Sequence, residues 1–172
     1  MTPLEGWENF YVIVGSSAGG LTGLTFVVIA LVGDANRVRP TGIGAFVTPT
    51  VVHFGGVLAL AAFMTMPHQG VLSLSVGLGL AGLAGLVYVG LVASSIRSTT
   101  EYQPVPEDWI WNVILPTVAY VGFVAAAVLL WERPTQALYL VGAVSLVLLF
   151  AGIHNAWDIA VWMTLHKNDP PP

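Results

Sequence analysis

Three polar residues, His154, Asn155 and Asp158, lie inside a long apolar run near the end of the chain, AGIHNAWDIAVW at 151–162. On a helix, their spacing of i, i+1 and i+4 places them close to one face. A carboxylate in a membrane helix costs roughly 2.5–3.5 kcal/mol at the bilayer centre on insertion scales, and less near the interface. We therefore expect Asp158 to pair with a histidine, either His154 on its own helix or His53 from another.

Polar residues of other apolar runs are expected at a similar depth, namely Thr48 and His53 in the second run, Tyr88 in the third and Asn112 in the fourth. Histidine changes its charge near neutral pH, and ionisable side chains within spans commonly line ion or proton pathways. The preferred hypothesis is therefore a small channel or transporter for ions or protons. A structural hydrogen-bond network accounts for the same residues, because buried polar groups must find partners.

A cofactor site is the second hypothesis. His53, His154 and Asp158 have the ligand types of a two-His, one-carboxylate metal centre, and the two histidines could instead ligate haem b axially. Either cofactor would make the protein a redox subunit, although no motif requires one. An accessory scaffold subunit of a membrane complex is a third class. The sequence has no GxSxG or HExxH signature, so we expect a protein that is not an enzyme.

The composition indicates an integral membrane protein. Of the 172 residues, 56% are hydrophobic and only 8% are charged, and the mean hydropathy is +0.81, whereas soluble domains have about 25% charged residues. A net charge of -4 leaves no basic stripe for nucleic acid, so lipid is the expected environment. The chain has no cysteine, which excludes disulfides and thiolate metal sites.

The fold class predicted is an all-α bundle of five transmembrane helices, since each apolar run has about the 20 residues needed to cross a hydrocarbon core of roughly 30 Å. The spans are expected at about 10–32, 43–66, 71–96, 109–131 and 136–165. A single domain then covers 1–172, with a short Pro-rich tail at 166–172. Glu5 and Glu8, without Lys or Arg, argue against a signal peptide. Asp108 is the expected N-cap of the fourth span.

Small residues recur every four positions in two of the runs, at Gly15, Gly19 and Gly23 and at Gly77, Ala81 and Gly85. In lipid, such grooves let helix backbones approach closely. The partner helix can belong to the same chain or to a second copy. We expect a homo-oligomer, because five helices are few to enclose a pathway.

The distribution of Lys and Arg predicts the orientation. With the N-terminus outside, the cytoplasmic segments hold Arg37, Arg39, Arg97 and Lys167, and the outer segments hold Arg133. The positive-inside rule therefore predicts an N-out, C-in protein of the plasma (inner) membrane. The polar residues above then lie in the cytoplasmic half, and Glu8 and Asn9 form the outer mouth.

Reporter fusions test this topology. A reporter joined after Pro172 and one inserted in the polar segment 97–108 are both expected to report a cytoplasmic location, because both segments carry part of the positive charge. External signals from both positions would invert the orientation.

Overall fold

A computed structural model of the protein describes residues 3–33, 40–98 and 105–165, with side chains for 3–30, 48–97 and 105–161. Within these ranges the chain forms five helices, which are α1 (Glu8–Gly33), α2 (Pro40–Met64), α3 (Val71–Ser98), α4 (Pro106–Leu129) and α5 (Pro134–Leu165). Four of them, α1, α3, α4 and α5, are long and apolar enough to cross a membrane. The predicted all-helical membrane bundle is confirmed. Arg37 and Arg39, which the orientation argument uses, and the tail at 166–172 lie outside the described residues.

Most helix ends differ from the prediction by one to three residues. α2 ends at Met64, two residues before the predicted limit, and α4 begins at Pro106 instead of 109. The prediction of Asp108 as the N-cap is wrong. Val105 precedes the helix, Pro106 takes its first position, and the Asp108 carboxylate accepts a hydrogen bond from the Val105 backbone N–H at 3.0 Å. Proline favours that first position because its fixed φ suits a helix and its missing N–H would have no partner there.

Four helices form the centre of the bundle. α3 packs on α4, α4 on α5 and α5 on α2, and a smaller contact between α2 and α3 completes the ring. α1 lies outside the ring, mainly against α2. We call one end of the bundle the acidic end, after Glu107 and Asp158. We call the other the aromatic end, where the ring of Trp7 contacts the rings of Phe10 and Tyr139.

α4 contains a widened, π-helical turn at Ile110–Ile114. The N–H of Leu115 donates to the carbonyl of Ile110, five residues earlier, and not to the carbonyl four residues earlier as in an α-helix. Pro116 explains the position of this turn, because its ring would collide with the carbonyl of Asn112 in regular α geometry and it has no N–H to donate. Such turns often lie at functional sites.

The small-residue positions pack mostly inside one copy of the chain. The contacts are Gly15 with Ala61, Gly19 with Leu58, Gly77 with Phe63 and Gly85 with Tyr120. Gly23 differs, since a methyl group there would have no described atom within 4 Å. Ala81 is half-buried on α3. Self-association stays a prediction, and the four glycines in these contacts already serve packing within the protomer.

Alanine substitutions at two glycines of α3, Gly85 and Gly90, test this packing. Gly85→Ala would place a methyl group in the ring of Tyr120, whereas the same change at Gly90 meets open space. We expect Gly85→Ala to lower the free energy of unfolding by about 1–3 kcal/mol through overpacking, and Gly90→Ala to raise it slightly, as alanine favours helix. Denaturant unfolding in bicelles measures both. Equal stability of the two variants would contradict the close contact of α3 with α4.

Candidate functional site

The side chains of Glu107, Trp111, His154 and Asp158 form one group at the acidic end, which we call the His154 cluster. Nε2 of His154 lies 3.5 Å from Oε1 of Glu107, and Nδ1 lies 3.1 Å from Oδ2 of Asp158. The His154 side chain is 25% exposed, and the two carboxylate side chains are 68% and 58% exposed. The cluster is therefore open to its surroundings, while its histidine is partly enclosed.

The imidazole of His154 is held on one face as well as at its edges. The Trp111 ring stacks on it with centroids 3.9 Å apart and planes inclined by 10°. Asp158 is close to Nδ1 but not aligned for a hydrogen bond, so that contact is a pairing of charges when the ring is protonated. In the imidazolium form both nitrogens carry protons, and each then faces a carboxylate.

The local helix geometry explains why these residues meet. Asp158 follows His154 by one turn on α5, and Trp111 follows Glu107 by one turn on α4, so each pair shares a helix face. α4 and α5 pack side by side and thereby bring the two pairs together. Nearby on α3, the guanidinium of Arg97 lies 5.5 Å from the ring centroid of Trp109, a distance at which a cation is attracted to an indole face.

A buried asparagine pair, Asn112 and Asn155, is adjacent to the His154 cluster on the same two helices. Nδ2 of Asn155 donates to Oδ1 of Asn112 at 3.0 Å. Asn112 in turn donates to the backbone carbonyl of Asp108 at 3.0 Å, one turn earlier on α4. This bond joins α4 to α5 within the apolar part of the bundle, where an amide without partners is costly.

A third group lies further toward the aromatic end and consists of His53, Tyr88 and Tyr120. We call it the His53 group. Nδ1 of the fully buried His53 lies 3.1 Å from the hydroxyl of Tyr120, and the Tyr88 ring stands edge-on to the imidazole with centroids 6.2 Å apart. Three helices thus contribute one side chain each. The close contact of Tyr120 with Gly85 fixes the phenol against α3.

The three groups follow one another along the bundle. Tyr120 comes two turns after Asn112, a rise of about 12 Å along α4. Phe54, next to His53 in sequence, packs on Gly152, which is one turn before Asn155 on α5. Together the His154 cluster, the asparagine pair and the His53 group form what we call the polar column.

The structure brings together some of the predicted site residues and separates others. Asp158 does pair with a histidine, and the partner is His154 and not His53. His53 contacts Tyr120, two turns beyond Asn112 on α4, so the predicted set occupies more than one level along the bundle. Depths counted from the ends of separate helices do not include the offset of packed helices along their axes.

The predicted metal centre is not assembled. Among the residues that the structure describes, no three His, Asp or Glu side chains form a group that could hold a metal ion. His53 contacts two tyrosines, whereas His154 contacts Trp111 and two carboxylates. The two histidines share none of these partners, and the pairing proposed for axial haem ligation therefore has no support from these contacts.

The remaining predicted residues are peripheral to the column. Thr48 is exposed, one turn and a half before His53 on α2. Glu8 and Asn9 are exposed at the start of α1, at the aromatic end. They are thus at the end of the bundle opposite to the His154 cluster, and their role as an outer mouth stays a prediction.

Three contributors to the site are not among the predicted residues. Glu107 falls in the polar segment 97–108, outside the predicted spans, and Trp111 and Tyr120 lie within the fourth predicted span. The i, i+4 spacing of Glu107 and Trp111 at the entry of a span is a usable signal. A tyrosine in the middle of an apolar run is another, since its hydroxyl usually finds a partner when buried.

The fold and these sites define the class of protein only broadly, as a helical membrane bundle with a polar interior. Comparisons with protein-family models, with curated proteins and with solved structures find no match for this chain.

A double-mutant cycle tests the asparagine pair. Asn112→Ala and Asn155→Ala should each lower the free energy of unfolding, and their coupling energy should be about 0.5–2 kcal/mol, as for other interhelical hydrogen bonds in membranes. Unfolding in bicelles gives all four values. As the matched control, Asn155→Ala combined with Ser73→Ala, at the aromatic end, should be additive. Additive behaviour of the asparagine pair itself would refute the bond.

Proposed function

We propose that this protein transports protons across the membrane, with the acidic end as the mouth and the polar column as the first part of the path. The observation that carries the proposal is the succession of polar groups from the exposed carboxylates of Glu107 and Asp158 to the buried His53. Proton relays in membrane proteins are commonly built from His, Asp and Glu side chains facing the bundle interior.

The burial of the column favours protons over larger cations. Asn112, Asn155 and His53 are 4%, 6% and 0% exposed, so the path at their level is enclosed by protein. A hydrated metal ion needs an open passage or a set of ligands that replace its water. A proton needs only donors and acceptors within hydrogen-bond reach, which the asparagine pair and the His53 group supply at 3.0 and 3.1 Å.

The charge of the acidic end supports its assignment as the mouth. Glu107 and Asp158 lie on either side of one histidine there, Asp108 follows Glu107 in the chain, and a cluster of like charges raises the local concentration of cations. In the N-out orientation this mouth faces the cytoplasm. A second copy of the chain would complete the path if five helices are too few, which is the assembly expected from the sequence.

Proton flux into liposomes tests the function. With a pH-sensitive dye inside and a potassium diffusion potential as the driving force, the wild-type protein should acidify the lumen faster than empty liposomes. The double variant Glu107→Gln, Asp158→Asn should slow this flux roughly tenfold at low ionic strength, because the attraction of cations is lost. The difference should shrink at high salt, where exposed charges are screened.

Glu132→Gln is the matched control, since Glu132 is an exposed carboxylate in the turn between α4 and α5 at the opposite end. It should conduct at the wild-type rate. A wild-type flux no greater than that of empty liposomes would reject proton transport, and an unaltered double variant would reject the acidic end as the mouth.

A further inference from the structure

His53 has one ring nitrogen that the protein leaves without a partner. Its side chain is fully buried, Nδ1 is engaged by the Tyr120 hydroxyl, and Nε2 has no hydrogen-bonding partner among the described residues. Nε2 lacks a partner whichever way the hydrogen bond with Tyr120 runs. If the tyrosine donates, Nε2 carries a proton with no acceptor; if the tyrosine accepts, Nε2 is an acceptor with no donor.

A buried nitrogen without a hydrogen-bonding partner destabilises the fold, since it loses its hydration and gains no hydrogen bond in return. In most proteins ordered water satisfies such groups, provided that the site offers further polar atoms. Thr50 lies one turn before His53 on the same face of α2 and is also fully buried. The surroundings of His53 are therefore polar on more than one side.

The neighbouring side chains fix the orientation of the ring. Tyr120 is pressed against α3 at Gly85, and Tyr88 stands edge-on to the imidazole. On the α5 side, Phe54 packs against Gly152. The titratable groups that face His53 in these contacts are thus two phenols, and both stay neutral near neutral pH in ordinary conditions. A water molecule is the partner that fits an uncharged, fixed nitrogen in this setting.

We infer that Nε2 of His53 binds a water molecule in the interior of the bundle, and that His53 exchanges its proton with this water. The exchange is balanced: in the tautomer whose Nδ1–H donates to Tyr120, a protonated water gives its proton to Nε2, and the imidazolium formed returns that proton to water. The role of this exchange in transport rests on the proposed function, whereas the binding of water does not. The polar column would then continue past His53 through water.

Solid-state NMR tests the binding of water directly. Protein labelled with ¹⁵N-histidine is placed in lipid bilayers, and contacts between ring nitrogens and water protons are recorded. The chain has four histidines, and His53 is identified as the one whose signals shift in Tyr120→Phe but not in Tyr139→Phe, because Tyr139 is 67% exposed and has no contact with it. Tyr120→Phe keeps the ring that packs on Gly85, so the fold is retained.

We expect a contact between water and Nε2 of His53 in the wild-type protein, and a Nε2 signal without one would overturn the inference. In the liposome assay, Tyr120→Phe should slow proton flux roughly tenfold or more, because the His53 ring loses the hydrogen bond that fixes the orientation of Nε2, and Tyr139→Phe should not. Normal flux in Tyr120→Phe would overturn the exchange role. If the wild-type protein conducts no protons, the proposed function fails, and the NMR contact still decides whether His53 is hydrated.

Discussion

Within a lipid bilayer, a polar side chain can bond only to protein or to water that the protein encloses, and this constraint accounts for the arrangement of the bundle. The asparagine pair joins α4 to α5, and the bond between His53 and Tyr120 joins α2 to α4. The first bond lies between two neighbouring helices, and the second crosses the central ring, in which α2 and α4 are not neighbours. The helices of the central ring are therefore held at fixed rotations about their axes as well as at fixed distances.

Close helix approach and polar bonding depend on each other here. The phenol of Tyr120 can reach His53 because Gly85 gives it room against α3. In membranes, small residues at an interface commonly serve to bring backbones near. In this bundle one of them serves to aim an aromatic side chain, so a residue without a side chain contributes to the geometry of the polar interior.

The sequence was sufficient for the fold and for part of the polar site. Runs of about 20 apolar residues separated by polar turns predict the helices to within a few residues, because the thickness of a bilayer fixes their length. The pair formed by His154 and Asp158 could be predicted from its i, i+4 spacing alone. Tyr120 with His53 and Asn112 with Asn155 could not, because these contacts depend on how far neighbouring helices slide past each other. The participation of Glu107 was hidden by the polar composition of its segment.

The π-helical turn of α4 sets the rotation of the first residues of this helix relative to the rest. It holds one residue more than a regular α-helical turn, so the segment before it and the segment after it are rotated relative to each other by about 100°, the angle of one residue. Trp111 and Asn112 thus owe their direction to a phase shift within the helix. Loss of a single residue between Ile110 and Ile114 would remove this phase shift and turn the start of α4 to a different face, while Tyr120 and everything beyond it kept their places; the Pro116 ring would then press on the carbonyl four residues before it.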